Sequence, residues 1–150
     1  MLNKMEDVGR QLSAHDLESL EESINAKLPG DYKLFLLKYN GGVPAPKGFP
    51  IQGMPKNPVG ILQEFFGIDQ AIESSNLLWN YTTMKSRFPS NLLPIAGTGS
   101  GDLICLELGG DKASAVIFWD SYHETQPPSY DNVYRIADNF TSFINSIHPD

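Results

Sequence analysis

Cysteine is almost missing from this chain. Cys105 is the only one in 150 residues, so no disulfide can form within it, and its place inside an apolar run reads as a small buried hydrophobe rather than a catalytic thiol. Cations are also scarce: 11 Lys and Arg stand against 18 Asp and Glu, a formal charge of −7. A nucleic-acid binder needs clustered cations along phosphates, so that class is excluded as an expectation, and a basic partner is favoured by electrostatic steering. No apolar run is long enough to cross a bilayer, and Met1 to Gly9 carries no hydrophobic signal core. The expectation is a soluble cytoplasmic protein with no membrane partner. There are only three histidines. His15 and His148 lie near the termini and His123 has no second His at ligand spacing, which leaves no zinc site. Internal repeats and low-complexity segments are lacking too.

What is present is the composition of an ordinary globular protein, 41% hydrophobic and 11% aromatic. A chain of this length fits one domain over residues 1–150 and buries roughly two-thirds of its unfolded surface. Ser13 followed by Asp16 reads as a capping box opening a helix with Leu17, Leu20 and Ile24 as its apolar stripe, and Glu18, Glu21 and Glu22 facing water. That helix is expected to end near Lys27. Residues 28–42 write a second helix. Pro29 suits its first turn, Asn40 or Gly41 suits the left-handed residue that closes it, and Tyr32, Phe35, Leu36 and Tyr39 recur at helical spacing.

From Val43 to Pro58 five prolines and two glycines rule out a regular helix or an interior strand over most of the segment, which is therefore a long ordered loop or an edge. Val59 to Phe66 reads as a strand. Asp69 is a candidate cap for a helix running to Arg87, broken near Ser74-Ser75-Asn76, with Ile72, Leu78, Trp79 and Met84 on its buried face. Leu92–Ala96, Leu103–Leu108 and Ala115–Trp119 are apolar runs separated by turns, a meander of strands buried on both faces. Val133–Ile136 is a last strand. Asp138 then caps a helix carrying Phe140, Phe143, Ile144 and Ile147. The fold class is α+β: N-terminal helices, a central, largely antiparallel meander, and a C-terminal helix packed on the sheet.

Motifs for chemistry are thin. The run from Gly97 to Asp102 lacks the spacing of a dinucleotide fingerprint or a P-loop, contains no lysine, and leads into a strand, so a turn is the simpler reading. Gly99-Ser100-Gly101 supplies only the tail of a nucleophile elbow. Asp102, Glu107, Asp111, Asp120, His123 and Glu124 form the one carboxylate and imidazole set that strand pairing could gather, and a hydrolase using Asp102 or Asp120 with His123 stays open on these residues. Trp119-Asp120-Ser121-Tyr122-His123-Glu124 offers instead a core Trp followed by an exposed rim of Tyr122, His123 and Glu124, where tyrosine and acids would meet a basic protein.

Leu28-Pro29-x-Asp31-Tyr32-x-x-Phe35-Leu36-x-x-Tyr39-Asn40-Gly41-Gly42, followed in order by Leu92 to Ala96, Gly101 to Glu107 and Val116 to Asp120, resembles the Smi/Knr-type domain of the SUKH superfamily. The resemblance runs from about Leu17 to about Ile147. It implies an immunity protein that binds and neutralises a polymorphic bacterial toxin without cofactor, metal or catalytic residue, or else a regulatory interaction domain. The expected mechanism is occlusion of a basic toxin by an acidic face. Candidate contacts are Phe49 and Met54 in the proline-rich segment, the acids Asp102, Asp111 and Glu124, and Tyr122 and His123.

Overall fold

The computed structural model describes residues 1–56, 58–109 and 115–150. A strand β1 (Lys4–Glu6) precedes two helices, α1 (Ala14–Ile24) and α2 (Gly30–Lys38). Strands β2 (Val43–Ala45), β3 (Gly48–Pro50), β4 (Val59–Ile61) and β5 (Glu64–Phe65) follow. Helix α3 (Leu77–Met84) then leads into β6 (Leu92–Gly97), β7 (Leu103–Glu107), β8 (Val116–Trp119), β9 (Val133–Ala137) and a closing helix α4 (Phe140–Ser146). Strands β5 to β9 form one antiparallel sheet in chain order, while β1–β2 and β3–β4 are separate two-stranded ladders.

Local chemistry sets the helix ends. Ser13 and Asp16 form the reciprocal capping box of α1, and Asn25 closes it in the left-handed conformation at φ 52°. Pro29 takes the cap position of α2, and beyond that helix Gly41 turns at φ +72°. A Cβ at Gly41 would sit 3.1 Å from both the Gly67 nitrogen and the Phe65 carbonyl, so neither handedness nor space admits a side chain there.

The three central strands are buried along almost their whole length, with only Glu107 less than fully covered, so both faces of the sheet need cover. Successive side chains of β8 show how this is met. Phe118 points to one face, where its ring lies 6.0 Å from Phe49, and Phe49 in turn meets Phe143 of α4 at 5.8 Å. The same layer continues through Phe140, Tyr32, Phe35 and Phe65 with centroid separations of 4.8–5.0 Å. Trp119 points to the other face and meets Phe88, just beyond α3, at 5.4 Å. Pro94 sits within interior strand β6, where the pairing with β7 shifts register between Pro94 and Ala96, which accommodates a residue that cannot donate to the ladder.

The α+β class, the meander, the first two helices and the closing helix agree with the sequence reading. Several details do not. Glu21 is buried, because its carboxylate accepts the Leu28 amide at 2.7 Å and meets Lys33 at 3.4 Å. Residues 59–66 are two strands in different sheets, bent apart at Leu62 and Gln63. Asp69 caps nothing: it lies at φ 56° and pairs with Arg10 at 2.7 Å. The expected long helix is α3 with a 3-10 turn on either side, Glu73–Ser75 and Lys85–Arg87; the buried residues of α3 are Leu77, Asn80 and Met84, whereas Ile72, Leu78 and Trp79 are exposed. Asn139, not Asp138, caps α4, its side chain accepting from the Ser142 amide.

Asn40 is buried and ties three segments together. Its Nδ2 donates to the carbonyls of Arg10 and Ile68, its Oδ1 accepts the Ile68 amide at 2.7 Å, and its carbonyl accepts from the Gly9 amide and the Gln70 side chain. Truncation to Ala leaves buried donors and acceptors unpaired, so Asn40→Ala is expected to lower the unfolding free energy by about 3 kcal/mol in urea titration. Tyr32 is the converse case. Its hydroxyl is buried with no hydrogen-bond partner among the described residues, and burial pushes its pKa far up. Tyr32→Phe is expected to leave stability unchanged or raise it by up to about 1 kcal/mol.

Candidate functional site

The rim residues named from the sequence lie where β8 ends and the chain turns toward β9. Asp120 is buried and caps a 3-10 turn, Ser121–His123, through its Oδ1, which accepts the Tyr122 amide at 3.1 Å. Its Oδ2 meets His123 Nδ1 at 2.5 Å. Backbone pairing with buried Asn132, whose side-chain amide also donates to the Asp120 carbonyl, fixes the turn to the start of β9. From the other side Asp102 reaches across: its Oδ1 accepts both the Ser121 amide at 2.9 Å and the Ser121 hydroxyl at 2.8 Å, and its Oδ2 accepts from Ser100. The glycine-rich run thus serves as a turn whose acid buttresses the rim.

Glu124 is held by a two-pronged pair with Arg87, Nε to Oε2 at 2.8 Å and Nη2 to Oε1 at 2.6 Å. The Arg87 guanidinium also stacks over Trp119, 5.3 Å from the ring centroid. Hydrogen bonding by Arg87 lowers the Glu124 pKa, and Glu124 raises that of Arg87.

These braces leave Tyr122 projecting furthest from the turn. Tyr122 is 87% exposed, its ring edge-on to His123 at 4.8 Å. A second exposed tyrosine, Tyr130, stands in the turn that enters β9 at the same end of the sheet. Asp102, Tyr122, His123 and Glu124 therefore lie on or against this one turn. Phe49 does not: it is fully buried between Phe118 and Phe143, because Gly60 of the paired strand lets its ring lie flat beneath the backbone, and it cannot touch a partner. Met54 is half-buried and packs on the core from the β3–β4 connection. Asp111 lies outside the described residues. Arg87, Ser121 and Tyr130 escaped the sequence reading. The composite Trp-Asp-Ser-Tyr run could have drawn in Ser121, but the Arg87 pairing spans 37 positions with no local signal.

Of the pairs left open for a hydrolase, Asp120 with His123 is in contact, whereas Asp102 is bonded to Ser100 and Ser121 instead. Ser121 gives its proton to Asp102, while His123 is bound to Asp120, and no contact among the described residues joins the hydroxyl to the imidazole. The His123 side chain is 61% exposed on the surface rather than in a cleft. Cys105 is buried, and burial pushes its thiol pKa well up, the opposite of a reactive thiolate. Among the described residues no group of three His, Cys, Asp or Glu side chains could hold a metal ion, and no helix is long and apolar enough to cross a membrane.

The stabilising effect of the Arg87–Glu124 pair has a definite pH sign. Because the folded-state pKa of Glu124 is lowered, the contribution is complete above the ordinary value of 4.5 and vanishes as pH falls through the lowered one. Glu124→Gln should cost about 0.5 kcal/mol at neutral pH, the discounted value of an exposed pair. Denaturant midpoints of wild type and variant should converge on acidification below pH 4.5 and on addition of molar salt.

With this geometry in place, comparison with known proteins identifies the fold family. The chain belongs to the SMI1 / KNR4 family (SUKH-1), whose model matches residues 11–146. It is 32% identical over 159 aligned positions to the SPbeta prophage-derived uncharacterized protein YokK of Bacillus subtilis (strain 168), an alignment covering 94% of this chain and 79% of that protein. No solved structure gives a significant match.

Proposed function

We propose that this protein is a non-enzymatic, cytoplasmic immunity protein that binds a cognate polymorphic toxin and neutralises it by occlusion. One observation carries the reading toward protein binding: a tyrosine 87% exposed on a turn that Asp120 and Asp102 hold rigid from both sides. A large amphipathic ring on a preorganised backbone loses little entropy on docking, which is why tyrosine recurs among interface hot spots. Family membership supports a toxin as the class of partner. The formal charge of −7 favours a basic toxin through faster encounter.

The pairings modify the role of the rim acids. Glu124 is matched by Arg87 and Asp102 by Ser121, so they hold the rim more than they attract a partner. Tyr122 is the principal contact, with Tyr130 beside it.

Co-expression with each neighbouring large open reading frame, followed by tandem purification and a growth-rescue assay, tests this. Rescue with a one-to-one complex is expected, and Tyr122→Ala should weaken that complex by about tenfold or more while leaving thermal unfolding unchanged. Rescue without a complex would point to enzymatic protection. Absence of both would move the assignment to a regulatory scaffold for a host protein.

A further inference from the structure

The residues that the sequence pattern placed in the core and the structure places in solvent, Ile72 at 66% exposure and Leu78 at 42%, frame a second surface. Two cavities flank the segment 67–78 that carries them. One, of about 410 Å³, lies between α1 and the start of α3 and is floored by Leu20, Ile68 and Leu78. The other, of about 310 Å³, lies on the far side of the segment, where Phe65, Ala71 and Ile72 meet the β2 and β5 backbone.

The segment between them is braced. Asn76 Oδ1 accepts the Gln70 amide, Asn76 Nδ2 donates to the carbonyls of Gln70, Ile72 and Glu73, the Gly67 amide donates to Ser75, and the Leu77 amide donates to Gly67. Asn40 anchors its base at Ile68. Ile72 is therefore an apolar residue held out in water by a fixed loop, not a fraying one.

The charge around Ile72 is negative: Asp7 and Glu64 line the second cavity, and Glu73 is exposed on the segment itself. The acids of the first cavity, Asp16 and Asp69, are both paired with Arg10, and no described lysine or arginine lines either cavity. Hydrogen bonds from Arg10 hold the Asp16 carboxyl well below the usual range, so that acid is charged.

We infer that the cavity beside Ile72 docks a basic protein segment, which seats an apolar side chain against Ile72 and Ala71 and sets lysine or arginine against Asp7, Glu64 and Glu73. The acidic rim argues against a second copy of this chain, which would bring like charges together. The inference rests on the protein-binding reading above but concerns a different face from Tyr122.

The test selects a displayed random-peptide library on the full chain. Enrichment of peptides that pair an apolar residue with Lys or Arg is expected, with amide shifts at residues 67–78 on titration of one such synthetic peptide. Affinity should fall about tenfold or more in Ile72→Asp and in Asp7→Lys/Glu73→Lys, all exposed positions where the fold should survive, checked by unchanged thermal unfolding. Enrichment of neutral or acidic peptides, no enrichment, binding untouched by both variants, or dimerisation through this face in sedimentation would overturn it. In the growth-rescue assay the two readings separate. Failure of the wild type to rescue counts against immunity alone, since peptide capture stands apart from it. Equal rescue by wild type and Ile72→Asp counts against the cavity beside Ile72 alone.

Discussion

The structure depends on one constraint, that strands β6, β7 and β8 are apolar on both faces. A half-polar antiparallel sheet could leave one face wet, but this one cannot. Cover on one face is aromatic and comes from distant parts of the chain: Tyr32 and Phe35 of α2, Phe49 of β3, Phe140 and Phe143 of α4. The termini of the fold are thereby locked together through ring contacts, which bury large areas with few degrees of freedom. On the other face Trp119 and Phe88 join the sheet to the end of α3.

Once both faces are covered, polar chemistry is confined to strand ends and loops. The Tyr122 and Ile72 surfaces both sit at such places, and both use the same device. An amide or carboxylate at a buried point, Asn40 in one case and Asp120 in the other, satisfies backbone groups of a turn and so fixes the side chains that the turn displays. The buried group is a positioning element, and the displayed residues, Tyr122 or Ile72, carry the contact. Making a partner from rigid turns reduces the entropy lost on association.

What could be read from the sequence follows from how local each signal is. The Ser13–Asp16 capping box involves neighbours and was legible, as were strands β6, β7 and β8, whose apolar runs record their burial directly. The register of α3 was not. Leu77 and Leu78 are adjacent, so hydrophobicity cannot say which faces inward, and the buried set includes Asn80, whose amide is satisfied by the carbonyls of Ser74 and Asn76. Glu21 misled for a similar reason: its partners, Leu28 and Lys33, lie beyond its own helix. Phe49 sits in a proline-rich stretch that reads as a loop, and only its cross-strand partner Gly60 reveals that the ring turns inward. At the site, Asp120 with His123 is a three-residue separation visible in sequence, whereas Arg87 with Glu124 is a tertiary coincidence.

The misread positions are informative in themselves. An apolar residue at helical spacing that the fold leaves in water indicates that the local pattern and the tertiary structure answer to different demands. Ile72 fits no core and sits on a loop held by eight hydrogen bonds from Asn40, Asn76 and the backbone of Gly67 and Leu77. A loop needing only to connect β5 to α3 would be equally well served by a polar side chain there, at no cost in packing. Exposure of an apolar residue on so constrained a loop is therefore better explained by what it meets than by what it supports, and the surrounding carboxylates define the charge that a partner must bring.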